Sequence, residues 1–165
     1  MKMILVLDNI RSTYNVGAIL RTAEGFGVER VILSGYTPRV HDKNLLPHLR
    51  EKLDREIHKT ALGAEEMVEI YSSGDIFTEL EKLRKEGYEI VGLENNIDDA
   101  RLVRLENAKR KLGDKVVLVL GEEVHGIAPG LYELMDLFVE IPMQGRKESF
   151  NVSVAAGIAM YGLTS

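Results

Sequence analysis

Short apolar runs alternate along the chain with longer stretches whose apolar residues recur at helical spacing. Met3–Leu7, Arg30–Leu33, Met67–Tyr71, Glu89–Leu93, Val116–Leu120 and Leu137–Ile141 read as strands. Val116-Val-Leu-Val-Leu120 is unbroken by any polar residue, as expected of a strand covered on both faces of a parallel sheet. Asn15–Phe26, Asp75–Glu86 and Asn151–Leu163 read as helices, and a further helical region spans Asn44–Lys59. In Asp75–Glu86, Ile76, Leu80 and Leu83 share one face, and Gly87 supplies the stop. Strand and helix in alternation predict an α/β fold. No repeat, low-complexity tract or linker rich in Pro, Gly or Ser interrupts it.

The last predicted helix departs from the amphipathic pattern. From Ser149 to Ser165 there is no charged residue, and Val152, Val154, Ile158, Met160, Tyr161 and Leu163 point in several directions. A helix that is apolar all round is buried on more than one side. Either it is wholly internal, or a second subunit covers one face.

Composition narrows the class. With 165 residues, 45% apolar and 28% charged, the chain fits one globular domain and neither a disordered nor a fibrous protein. The absence of Cys excludes a disulfide scaffold or a thiolate zinc site and suits a reducing cytoplasm. The N-terminal apolar run is too short for a signal peptide, and 149–165 falls short of a membrane span. A net charge of −5 argues against coating nucleic acid by bulk charge. The charge is uneven, however. Residues 39–59 carry six basic groups against four acidic, with His41, His48 and His58 among them, and 101–113 carry five against one. Residues 60–100 carry three against eleven. Each block reads either as solvated surface or, around Arg39, Lys43, Arg50, Arg55 and Lys59, as a footprint for an anionic ligand.

Two glycine motifs are rejected on context. Gly25-Phe-Gly27 follows a helix and so reads as a helix stop, whereas a dinucleotide loop opens a helix after a strand. Gly121–Gly126 has the glycine spacing of a phosphate loop, but Ile127-Ala128 stand where Lys and Ser or Thr are needed, and Glu122 and Glu123 would repel phosphate. The histidines lack closely spaced carboxylates, so no catalytic metal site is expected.

Three polar clusters remain, each at a strand end, where α/β folds gather their ligands. The first is Asn9-Ile-Arg11-Ser-Thr-Tyr-Asn15-Val-Gly17-Ala-Ile-Leu-Arg21-Thr22. Arg21 lies in an apolar helix, where it needs an anionic ligand or a structural salt bridge. The second, Gly121-Glu-Glu123-Val-His-Gly126-Ile-Ala-Pro129-Gly130, suits hydroxyls or a cation. The third runs from Ile141-Pro142-Met143 to Ser149-Phe150-Asn151-Val-Ser153, with Ser149 as a candidate N-cap.

In this order the three clusters resemble the motifs of the SpoU (TrmH-like) branch of the SPOUT RNA methyltransferases. Asn15-x-Gly17-x-x-x-Arg21-Thr22, Gly121-x-Glu123-x-x-Gly126, and Ile141-Pro-Met143 with Ser149-Phe-Asn151-Val-Ser153 carry the likeness. Phe150 stands where the family usually has Leu. The resemblance implies one catalytic domain over 1–165 with no separate RNA-binding domain: an α/β parallel sheet flanked by helices, with a C-terminal trefoil knot. It implies a cytoplasmic homodimer joined through the C-terminal helix, with Met160 facing the interface, and an RNA partner, tRNA or rRNA. S-adenosylmethionine would be held by Leu120, Gly121, Ile141, Met143, Ser149 and Phe150. Asn15, Arg21, Glu123, Ser149 and Asn151 would line the reaction site, where a ribose 2′-hydroxyl takes the methyl group without a metal. Arg21 is proposed as the base in this family, but guanidinium hardly deprotonates in proteins. A clamp on the neighbouring phosphate is the alternative role, with that phosphate a further candidate for the proton. A non-catalytic RNA-binding member of the fold is the competing reading, and methylation of a base a third.

Overall fold

The computed structural model describes residues 1–165. Seven strands form one sheet in the order β3-β2-β1-β6-β4-β7-β5, with every pairing parallel. These are β1 (Lys2–Asp8), β2 (Arg30–Ser34), β3 (Ile70–Ser72), β4 (Glu89–Leu93), β5 (Leu102–Arg104), β6 (Lys115–Leu120) and β7 (Leu137–Glu140). The helices are α1 (Thr13–Gly25), α2 (Pro47–Ala61), α3 (Ile76–Lys85), α4 (Leu105–Ala108) and α5 (Val152–Thr164).

Side-chain alternation divides the core. Met3, Leu5 and Leu7 of β1 point to the layer that holds α1, α2, α4 and α5. Ile4 and Val6 point to the opposite layer, closed by α3 and a 3₁₀ segment at Pro129–Leu134. Val116–Leu120 is buried throughout, as its unbroken apolar run predicts, because β6 lies in mid-sheet with a layer on each face.

The local signals explain most boundaries. The Ser12 side chain accepts the Asn15 N–H at 3.2 Å, so α1 begins at Thr13, two residues before the predicted start. Pro47 opens α2, so residues 44–46 of the predicted helical region lie outside the helix. The predicted strand Met67–Tyr71 is displaced to Ile70–Ser72. A 3₁₀ turn over Ala64–Glu66 precedes it and leaves Met67 71% exposed. Strand β5 and helix α4 are too short to leave a period in the sequence.

Helix α5 packs against α1 and α4 and buries Ala156, Ala159, Met160 and Leu163. Met160 therefore faces the core and not an interface. The exposed apolar positions of α5 are Val154 and Tyr161, and the Tyr161 ring lies 6.4 Å from that of Phe26 at the end of α1. No helix is long and apolar enough to cross a membrane.

Candidate active site

The carboxyl ends of β6, β4 and β7 border a cleft of about 290 Å³. Six residues expected at the cofactor or reaction site line it: Leu120, Gly121, Glu123, Ile141, Ser149 and Phe150. The turn after β6 is closed by reciprocal backbone bonds between Glu122 and Gly126, at 3.0 and 2.8 Å. Gly121 permits this closure, since a Cβ there would lie 2.4 Å from the backbone of Gly126 and Ile127. Chain leaving β7 at Glu140 carries Met143 past the cleft, and the structure does not bring it among the lining residues.

A chain of amides joins the three motifs beside the cleft. The N-cap of α5 is Asn151, not Ser149. Its Oδ1 accepts from the Ser153 N–H at 2.9 Å, the Ser153 hydroxyl at 2.6 Å and the Val154 N–H at 3.4 Å. Those donors fix which end of the amide faces the helix, so Nδ2 faces outward. It donates to Asn15 Oδ1 at 3.2 Å, and Asn15 Nδ2 donates to Glu123 Oε1 at 3.4 Å. The capping of one helix thus orients a carboxylate on a different strand end. Arg21 stands outside this chain. It is six residues beyond Asn15, about 9 Å along the helix axis, exposed, and without the structural salt bridge considered from sequence.

The end of β4 supplies residues that the motifs do not contain. Asn95 accepts the Ile141 N–H at 3.1 Å and donates to the Ile141 carbonyl at 2.9 Å, holding the start of the segment that leads to α5. Asn96 donates to the Glu148 carbonyl at 3.3 Å, near the segment's other end. Glu94 accepts the Ile127 N–H at 2.5 Å, and burial raises its carboxyl above the ordinary range although that bond and the Asn95 N–H favour ionisation. Three polar residues directly after a predicted strand were the available signal.

Charge in the cleft is one-sided. Glu94, Glu122, Glu123 and Glu148 line it with no Lys or Arg. No residue of the basic 39–59 stretch lines the cleft; Arg39, His41 and Lys43 line a separate depression with Asp42. The Arg39 guanidinium is turned to the carbonyls of Gly35, Thr37 and Ser73, and burial lowers its pKa. His41 has carboxylates that sequence spacing does not reveal: Nδ1 meets Asp54 at 3.0 Å and Nε2 meets Glu66 at 2.5 Å. The bond to Glu66, assisted by Asp54, raises its pKa. In 101–113, Arg101 is engaged by Asp99, whose carboxyl the guanidinium bonds hold down at about 2.

Known proteins share both the sequence and the fold. The SpoU rRNA Methylase family profile matches residues 2–161. The 23S rRNA (guanosine-2'-O-)-methyltransferase RlmB of Xylella fastidiosa (strain 9a5c) is 34% identical over 159 residues, covering 96% of this chain and 57% of that protein. The chain thus spans a little over half the length of this curated relative. An AdoMet-bound rRNA methyltransferase from Sinorhizobium meliloti superposes with a TM-score of 0.79 at 22% identity, over 98% of this chain and 55% of that one. The A. aeolicus TrmH/SpoU tRNA modifying enzyme superposes at 0.78 with 25% identity, over 99% and 74%. Because the profile match takes in all three strand-end clusters and the sheet that aligns them, the chain belongs to the SpoU rRNA Methylase family.

Proposed function

We propose that this chain is the catalytic domain of an S-adenosylmethionine-dependent RNA methyltransferase that acts on a ribose 2′-hydroxyl of tRNA or rRNA. The observation that carries the reading is a cleft with four carboxylates and no Lys or Arg, beside an oriented Asn151–Asn15–Glu123 chain. Such a cleft favours a cationic ligand and repels phosphate. A sulfonium fits the carboxylates, and Leu120, Ile141 and Phe150 offer an apolar wall for the flat adenine. The AdoMet-bound structural relative and the relative named for guanosine 2′-O-methylation agree with it. When bound, S-adenosylmethionine supplies an electrophilic methyl group.

The protein's own work is orientation and handling one proton. We assign the backbone at Leu120 and Gly121, with Ile141, Ser149 and Phe150, to the cofactor; Met143, which lies outside the cleft, is left out of this set. Asn151 and Asn15 orient the ribose hydroxyl through amides that carry no net charge, and Ser149 contributes a hydroxyl at the mouth. Arg21, free on α1, clamps the phosphate beside the target ribose and stabilises developing alkoxide charge. Helix α5 presents Val154 and Tyr161 to solvent next to Phe26, which supports a homodimer through this face. The segment between β7 and α5 is tied at Ile141 and Glu148 to Asn95 and Asn96 beyond β4, which supports a C-terminal trefoil knot. A cysteine-free chain with an RNA substrate suits the cytoplasm.

Alkaline cleavage of RNA needs a free 2′-hydroxyl, so a methylated ribose leaves a gap in the hydrolysis ladder. Incubation with S-adenosylmethionine and total tRNA or rRNA is expected to create such a gap, and Asn151→Ala to prevent it. Labelled methyl recovered on a base would overturn the ribose assignment. Failure to bind S-adenosylmethionine would overturn the enzyme.

A further inference from the structure

Beyond the cleft, the same edge of the sheet changes character. Tyr36, in the turn after β2, is 49% exposed, and the Arg11 guanidinium, just after β1, lies 5.7 Å from its ring centroid. On the first turn of α1, Tyr14 is 47% exposed, with the Lys59 ammonium 6.0 Å from its ring. Exposed aromatic rings paired with cations are what stacked bases and their phosphates recognise. The nearby acids are turned inward: Asp8 is buried against the Ser34 hydroxyl, and Glu56 accepts from Thr13.

The turn that carries Tyr36 is held unusually firmly for an exposed loop. The Tyr36 N–H donates to Asn9 Oδ1 at 3.1 Å. Thr37, buried, donates its hydroxyl to the Leu7 carbonyl at 2.8 Å and accepts the Ile10 N–H at 3.0 Å. Arg39 ties Gly35 and Thr37 to Ser73 at the end of β3. Packing does not require so much fixing of a ring left half in solvent. A rigid aromatic surface loses little entropy when a base settles on it.

In the order β2-β1-β6, Tyr36 sits two strand spacings, roughly 10 Å, from the end of β6 that bears Glu123. The electronegative cleft bars the phosphate chain from the β4–β7 side, so RNA approaches over β1 and β2. We propose that Tyr36, with Arg11 beside it, is the platform on which a base next to the target nucleotide stacks, Arg11 meeting the adjoining phosphate. The partner is single-stranded RNA with splayed bases, because a ring in a shallow edge cannot stack on the interior of a duplex. This inference rests on the RNA methyltransferase reading above.

The test measures binding of a fluorescent, short, mixed-sequence single-stranded RNA at several salt concentrations, alongside calorimetric binding of S-adenosylmethionine. Tyr36→Ala is expected to weaken RNA binding by about five- to a hundredfold, the range for losing one base–aromatic stack. Tyr36→Phe keeps the ring and stays within about twofold of the parent. Arg11→Ala weakens binding and lowers the slope of log affinity against log salt by about 0.7, the value for one single-strand phosphate. Cofactor affinity is unchanged in all three. If Tyr36→Ala binds RNA as the parent does while the parent methylates RNA, the platform is wrong and the enzyme reading stands. If the parent binds S-adenosylmethionine but neither holds nor methylates any RNA, the reading beneath the proposal falls and takes the platform with it.

Discussion

Gly17, the glycine of the first motif, is open to a test in which two effects of opposite sign compete. In an exposed helix interior, Gly→Ala stabilises by about 1 kcal/mol through helix propensity. Here α1 lies so close to α2 that an added Cβ would stand 2.2 Å from the Ile57 carbonyl oxygen and 2.2 Å from Thr60 Oγ1. Ordinary contact begins near 3.4 Å, so the helices must separate by about an ångström. Overpacking of this kind costs about 1–3 kcal/mol. Separation also strains the 2.8 Å bond from the Thr60 hydroxyl to the Tyr14 carbonyl, worth about 1 kcal/mol. The clash outweighs propensity, and Gly17→Ala is expected to be less stable by about 1–3 kcal/mol. Urea denaturation reads this as a lower midpoint at unchanged slope. Gly25→Ala, at the end of the same helix, is the control: its Cβ meets nothing within 4 Å, so it is neutral or slightly stabilising. A Gly17→Ala protein as stable as the Gly25→Ala control would refute the close packing of α1 on α2.

Arg21→Ala should leave S-adenosylmethionine affinity within a few-fold and lower methyl transfer at least about a hundredfold, the scale of losing one oriented electrostatic group. Loss of cofactor binding in a calorimetric titration would contradict the phosphate-clamp assignment. Tyr161→Glu places a charge on the exposed face of α5 and should convert a dimer to monomer in sedimentation without unfolding it, since Tyr161 is 63% exposed. His41 sets a pH dependence: with its folded pKa raised by Glu66 and Asp54, its stabilising contribution is complete below about 6.5 and is lost as pH rises through the folded value. Denaturation midpoints of the parent should therefore fall more steeply than those of His41→Ala above that pH, and parallel curves would show the pair to be inert.

The legible parts of the fold are those a single period can encode. Val116–Leu120 is buried on both faces and reads so; Met3–Leu7 alternates between two cores, and its pattern needs no third dimension. Met67–Tyr71 misled because Val68, apolar enough for a strand, packs on the core from a turn. Strand order was not legible, since placing β6 beside β1 depends on pairings more than a hundred residues apart, such as Lys2 with Lys115. Within the site, the motif residues announced themselves by lying at strand ends. Ser149 and Asn151 are both good capping types, and only geometry chooses Asn151. Glu94, Asn95 and Asn96 belong to no motif; they matter because the chain beyond β7 returns across them.

The late arrival of β6 has a consequence for synthesis on the ribosome. Strand β1 emerges first, and one of its two edges is covered only by residues 115–120. At about 5–20 residues per second, that edge waits roughly six to twenty seconds for its partner. All the while it presents Met3-Ile-Leu-Val-Leu7, a run with no charge and no proline, and so a template for pairing with another chain. Slower translation upstream of β6 should therefore worsen the yield of this protein more than slower translation after it.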